Sequence, residues 1–407
     1  MKSERDSLKR RKYLGVTFEN VKKSVYVSNI VDTYNSFQIN DKIIEFEGLT
    51  VEDAGSLSDM INKLNIKDYV NIKIERRKEI MLMKCKLLPY PKEEKAGILL
   101  KYNFFIYRGA KIRTIVSVNK SKKNTEESKN ILLFVQGIEC DSVDMPLQSH
   151  PYKKILYSLT KNDLMTARID LYGNGDSEGA PCYTYDFYDI LNLYKSAVYY
   201  FINEGLNVYI LGYSIGGFIA PMIAEAIPEI KGIAVFDTIV TSLYSYLIKN
   251  RMRQKLLQGY KKKEILLQSV EYTEFLNELL VEQHIPADIV KLNNEFKKYF
   301  DKGDIFLGHN YTYAQQIAKI DIQKFWKSLD IPILIIVGEL DYMIDYDEHI
   351  SLYNVLSYNE NGIVHLLSSP IDHFFSEKKT GFSLETVNGI YNFYNNIISL
   401  NSGTGEV

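Results

Sequence analysis

Six short runs of continuous apolar residues, separated by longer amphipathic segments, constrain this chain more than any other feature. They are Ile131–Gln136, Leu164–Asp170, Val208–Leu211, Ile233–Phe236, Ile331–Val337 and Ile363–Leu367. A strand that is apolar at every position is buried on both faces, and such strands joined by helices build a mostly parallel sheet with helices on each side. Ahead of the first run, Ile98–Tyr107 and Lys111–Val118 read as a hairpin, and Lys120–Lys129 as a charged, solvated loop. Between Thr238 and about Trp326 the alternation gives way to charged helical sequence, which reads as an insertion over the sheet. Its first part is basic, at Lys249–Lys255 and Lys261–Lys263, and Trp326 is expected to pack its end onto the sheet.

The N-terminal part has a different character. Residues 13–90 carry β-rich runs at Leu14–Phe18, Val25–Ile30, Asp41–Phe46, Tyr69–Arg76 and Ile80–Leu88. One helical stretch, Val51–Leu64, places Leu57, Met60, Ile61 and Leu64 at helical spacing. Residues 1–12 are a charged tail, 91–97 a linker opened by Pro89 and Pro91, and 401–407 a C-terminal tail. The expected organisation is a small β-rich domain followed by a large α/β domain over 98–400, with the helical insertion at 238–326.

Composition narrows the function classes. With 407 residues and 46% apolar, the chain can bury sizeable cores. Lys+Arg 49 against Asp+Glu 51 leaves no global field for nucleic acid. Three cysteines exclude a disulfide scaffold, and no Cys/His cluster has metal spacing, so no metal or other cofactor is expected. The basic N-terminus is not followed by an apolar stretch, and no window approaches the ~18 apolar residues of a membrane span. A cytoplasmic protein is the expectation.

The chemistry concentrates at Gly212-Tyr213-Ser214-Ile215-Gly216, a G-x-S-x-G between a strand and a helix. Gly212 and Gly216 make room for a sharp turn, and the following helix aims free N–H groups at a developing oxyanion. A serine hydroxyl needs a base, and the base needs an acid to orient it. Asp341 follows the strand Ile331–Val337, with Asp345 in reserve, and His373 follows the last strand. His349 and His365 fall within a helix and a strand, where structural roles are expected. The Gly173–Gly179 segment has no Gly-Lys-Ser/Thr, and Glu178 breaks a dinucleotide pattern, so it is read as a structural turn.

The chain order Ser214, Asp341, His373 resembles that of α/β-hydrolases with a helical cap. Asp170 to Gly179 is similar to that family's D-x-x-G-x-G-x-S turn, Gly212–Gly217 to its nucleophile elbow, and Ile331–Asp341 to its acid-bearing strand. The family's His-Gly turn is Gln136-Gly137 here. The resemblance implies a serine hydrolase acting on an ester or thioester through an acyl-enzyme. Ser214 would be the nucleophile, His373 the base, Asp341 the acid, and the N–H groups of Ile138 and Ile215 the oxyanion hole. Carrier-protein thioesterase, acyltransferase and peptidase are the alternatives. Cys140 and Cys182 would approach each other as a candidate thiol pair, reduced in a reducing compartment and bonded under oxidation.

Tyr13-Leu14-Gly15-Val16 resembles the carboxylate-binding loop of PDZ domains, particularly those of high-temperature-requirement serine proteases. Ile39–Gly48 is similar to their Gly-Asp segment, with Asn and Glu replacing Gly and Asn. This implies capture of a C-terminal peptide by Leu14, Gly15 and Val16. The chain's own Gly403–Val407 is one candidate ligand, and a carrier protein a further candidate partner. A PDZ-based adaptor without activity is the non-enzymatic alternative.

Overall fold

The computed structural model describes residues 8–63, 69–122, 129–144, 146, 151–357, 363–376 and 383–401. The ends of both tails, Leu64 and most of the charged loop lie outside the described residues. The chain divides into two compact units, Met1–Lys92 and Glu93–Val407.

In the first unit, five strands pair in the order Val16–Val21, Ser24–Ile30, Lys42–Phe46, Tyr69–Arg76 and Glu79–Lys86, all antiparallel. Alternation along them buries Val25, Val27, Ile43, Ile72, Ile74 and Cys85. Burial pushes the Cys85 thiol up to about 11, as befits a core residue. The helix runs Ala54–Lys63. It begins after Val51 because the Val51 N–H donates to Ile44 and the Asp53 carboxylate accepts from Ser56 N–H at 2.8 Å, an N-terminal cap.

The second unit is built on an eight-stranded sheet. Its strands are β1 (Ile98–Tyr107), β2 (Ala110–Asn119), β3 (Asn130–Val135), β4 (Met165–Ile169), β5 (Asn207–Tyr213), β6 (Ile233–Phe236), β7 (Ile333–Gly338) and β8 (Val364–Ser369). Their order is β1-β2-β4-β3-β5-β6-β7-β8. β2 is antiparallel to β1 and β4, and the remaining pairs are parallel. In β3, Ile131, Leu133 and Val135 enter the core on one face, while Leu132 and Phe134 enter that on the other. That double burial is why the run is apolar throughout. This is the expected α/β-hydrolase sheet.

Between β6 and β7 lie the helices Leu243–Leu257, Lys262–Leu276, Pro286–Leu292, Tyr311–Ala318 and Ile322–Lys327. Phe275 centres their core against Phe296, Tyr299, Phe300 and Phe306. Trp326 is fully buried in the shared core.

One feature departs from the sequence reading. Glu93, within the stretch read as linker, is buried and pairs with Arg168 at 2.6 Å, so the second unit starts earlier. Cys140 and Cys182, the candidate thiol pair, do approach each other and are joined in a disulfide, their Cα atoms 5.6 Å apart, within bonding range.

Candidate active site

The strand β5 ends at Tyr213, the helix Ile215–Ala226 begins two residues later, and Ser214 alone makes the turn. Its backbone is left-handed, at φ 52° and ψ −120°, a conformation that costs energy and persists only where the surroundings enforce it. The enforcement is visible. A Cβ on Gly216 would lie 2.1 Å from the Val135 carbonyl oxygen, and one on Gly212 would lie 2.5 Å from that of Gly216. Both glycines let strand, turn and helix approach more closely than any side chain allows.

His373 lies in the loop after β8 and is 4% exposed. Its Nδ1 is 2.7 Å from Asp341 Oδ2, and its Nε2 is 3.2 Å from Ser214 Oγ. An ionised carboxylate only accepts, so Nδ1 carries the proton and Nε2 is left to accept from the serine hydroxyl. Asp341 sits just beyond β7, and its Oδ1 accepts the N–H groups of Met343 at 2.5 Å and Ile344 at 3.0 Å. Burial pushes the Asp341 carboxyl up. The hydrogen bond from His373, with that from the Met343 N–H, outweighs this and holds it below the usual carboxylate range.

A second carboxyl, not picked out in the sequence, joins this group. Asp237 follows β6 directly, is fully buried, and has an oxygen within 4.8 Å of both Asp341 and His373. Its Oδ1 accepts the Gly338 N–H at 2.8 Å, while Oδ2 meets no donor among the described residues. Burial first, then the Asp341 charge, raises the Asp237 carboxyl well above its ordinary value. Two adjacent buried carboxylates repel one another when both are ionised, so burial and the Asp341 charge favour the protonated form of Asp237. The signal was an aspartate at the end of an apolar strand, the same signal that marked Asp341.

The remaining candidates divide. Asp345 pairs with Arg253 at 2.9 Å. His349 accepts from Thr238 N–H at 3.0 Å and is held neutral by burial. The N–H groups of Ile138 and Ile215 donate to no described residue. The Ile138 carbonyl, however, accepts from His309 Nε2 at 2.7 Å, and His309 stacks on Tyr313 in the helical insertion. The Gly173–Gly179 turn is structural. Arg113 binds Asp144 at 2.9 Å, Asp176 at 2.6 Å and Asp170, and its N–H donates to Ser177.

In the first unit, Gly15 has φ 81°, and its carbonyl accepts from Val31 and Asp32 N–H, both at 2.8 Å. Leu14 and Gly15 N–H donate to no described residue. A cleft of about 190 Å³ beside them is lined by Leu14, Val16, Phe18, Ser58 and Ile61.

Among known proteins, the family described as serine aminopeptidase, S33, matches residues 147–365, and the PDZ domain matches residues 12–87. No curated protein matches the chain. Solved structures resemble the chain at low identity. Est1E from Butyrivibrio proteoclasticus is 14% identical with a TM-score of 0.47, covering 73% of this chain and 99% of its own. The Pyrococcus furiosus esterase Pf2001 is 14% identical with a TM-score of 0.45, covering 73% and 92%. A hydrolase from Pseudomonas aeruginosa is 15% identical with a TM-score of 0.43, covering 75% and 99%. The family match spans more than half of the residues, so the chain belongs to the serine aminopeptidase S33 family, as a serine α/β-hydrolase with an N-terminal PDZ domain.

Proposed function

We propose that the protein cleaves a carboxylic ester or thioester through an acyl-enzyme on Ser214. The observation that carries this is the hydrogen-bonded chain from the Ser214 hydroxyl through His373 to Asp341, with the serine held in a left-handed turn. His373 takes the serine proton as Oγ attacks the acyl carbon, then returns it to the leaving group. Water, activated by the same imidazole, releases the acid. Ile138 and Ile215 N–H, which have no described acceptor, support the assignment of the oxyanion hole. No step calls for a metal or other cofactor.

Amide cleavage is the second reading, favoured by the family's description as an aminopeptidase. The Leu14 and Gly15 N–H groups, which have no described acceptor, and the cleft that Leu14 and Val16 line together with the basic Arg11 and Lys12 support recruitment of a C-terminal peptide or a carrier protein by the PDZ domain. The chain's own Gly403–Val407 lies outside the described residues.

Matched acyl groups carried on nitrophenyl ester, thioester and aminoacyl nitroanilide leaving groups test the reading. Ester and thioester turnover should show a burst of leaving group, the mark of an accumulating acyl-enzyme. Preferred cleavage of the nitroanilide would replace the proposal with the peptidase reading.

A further inference from the structure

The helical insertion exposes a surface that neither its own packing nor the catalytic group accounts for. The helices Leu243–Leu257 and Lys262–Leu276 pack side by side and are joined by a short turn. Around that turn Leu256, Leu257, Leu266, Leu267 and Val270 are 57%, 63%, 59%, 65% and 59% exposed. Leu266, Leu267 and Val270 share a helix face with Lys263 through their three- and four-residue spacing.

The surrounding charge is basic. Residues 249–271 carry seven basic and two acidic side chains. Those nearer the sheet are used internally: Lys249 pairs with Glu348, Arg253 with Asp345, and Arg251 covers the Tyr272 ring. Lys255 lies over the Tyr260 ring, 4.2 Å from its centre, and Lys261, Lys262 and Lys263 form no ion pair with any described residue. Lys261, Lys262 and Lys263 also stand at the start of a helix, where positive charge opposes the helix dipole. Helix stability does not explain three lysines at that position.

We propose that this hairpin turn docks on an anionic lipid surface. Leucine and valine side chains enter the acyl boundary, and the surrounding lysines meet the headgroup phosphates. Protein interfaces are built from aromatic, Met and Arg side chains and are depleted in lysine, so this composition fits a bilayer better than an acidic protein. The whole chain carries a net charge of −2, so the attraction is local to the turn. No helix among the described residues is long and apolar enough to cross a membrane, and the docking is peripheral. The inference does not depend on the catalytic reading.

Flotation of the full chain with vesicles tests it, using equimolar phosphatidylcholine and phosphatidylglycerol against phosphatidylcholine alone. The wild-type chain should float with the anionic vesicles, and less so as salt rises. A Lys261→Glu/Lys262→Glu/Lys263→Glu variant and a Leu266→Ser/Leu267→Ser variant should each bind at least about tenfold more weakly. Both should keep wild-type hydrolysis of a soluble ester and wild-type circular dichroism. Failure of the wild type to float, equal binding to neutral vesicles, or wild-type binding by either variant would overturn the proposal. So would light scattering that shows the leucines buried in a dimer abolished by Leu266→Ser/Leu267→Ser.

Discussion

Two carboxyl groups stand at the ends of neighbouring strands, and their surroundings give them opposite protonation. Asp341 is held ionised by His373 and by two backbone N–H groups. Burial and the Asp341 charge raise the carboxyl of Asp237, fully buried beside it, well above its ordinary value. Asp341→Asn should lower kcat by roughly 10³- to 10⁴-fold, because an amide there imposes the wrong tautomer on His373. Asp345→Asn should be mild, since that carboxylate serves Arg253; comparable losses in the two would displace the acid to Asp345. Asp237→Asn keeps an acceptor for Gly338 N–H and a neutral donor group like that of the protonated carboxyl, so activity should survive it and fall with Asp237→Ala. Stability carries a second signature. The raised Asp237 binds its proton more tightly folded than unfolded, so its contribution is lost as pH rises from the ordinary carboxylate range toward its raised value. Asp237→Asn should therefore gain in Tm over the wild type between acid and neutral pH. A gap that stays constant across that range would show that Asp237 is ionised.

At the scale of elements, the turn at Ser214 depends on contacts that only backbone can make. Gly216→Ala would drive a methyl group into the Val135 and Gln136 carbonyls, at 2.1 and 2.5 Å. Overpacking of that kind costs about 1–3 kcal/mol or more, so a lowered Tm with most activity lost is expected; wild-type melting would mean that the turn is looser than described. The loop after β3 is held from the insertion by His309, which donates to the Ile138 carbonyl. His309→Ala should lower kcat with little change in KM, by less than the ~10²-fold cost of deleting an oxyanion donor. His309→Gln, which restores an N–H, should recover part of it. A loss confined to KM would place His309 in substrate binding instead. The strands and the elbow were legible because double burial and a strand-turn-helix junction leave local marks in composition. His309 was not, since it lies 171 residues from Ile138 and nothing in its own neighbourhood marks the pairing. Arg113 escaped for the same reason, its three carboxylates arriving from two distant loops and the end of β4.

For the whole molecule, the two units have separate hydrophobic cores. Removal of residues 1–92 should leave a folded hydrolase whose kcat/KM on a small nitrophenyl ester stays within about threefold of the full chain's. A tethered substrate would lose its effective concentration and turn over more slowly. Collapse of small-ester activity would show that the PDZ domain helps to build the site. The division was readable from the change between alternating and continuous apolar runs. The early start of the second unit was not, because Glu93 is acidic and flanked by lysine and glutamate, and only distant partners such as Arg168, Lys153 and Tyr157 make it core. All of this rests on Ser214 being the nucleophile. Labelling with a fluorophosphonate, followed by peptide mapping, measures that directly. The wild-type chain should carry one adduct, on Ser214, while Ser214→Ala stays folded, unlabelled and slower by ~10³-fold or more. An adduct on another residue, or undiminished labelling of Ser214→Ala, would contradict the account.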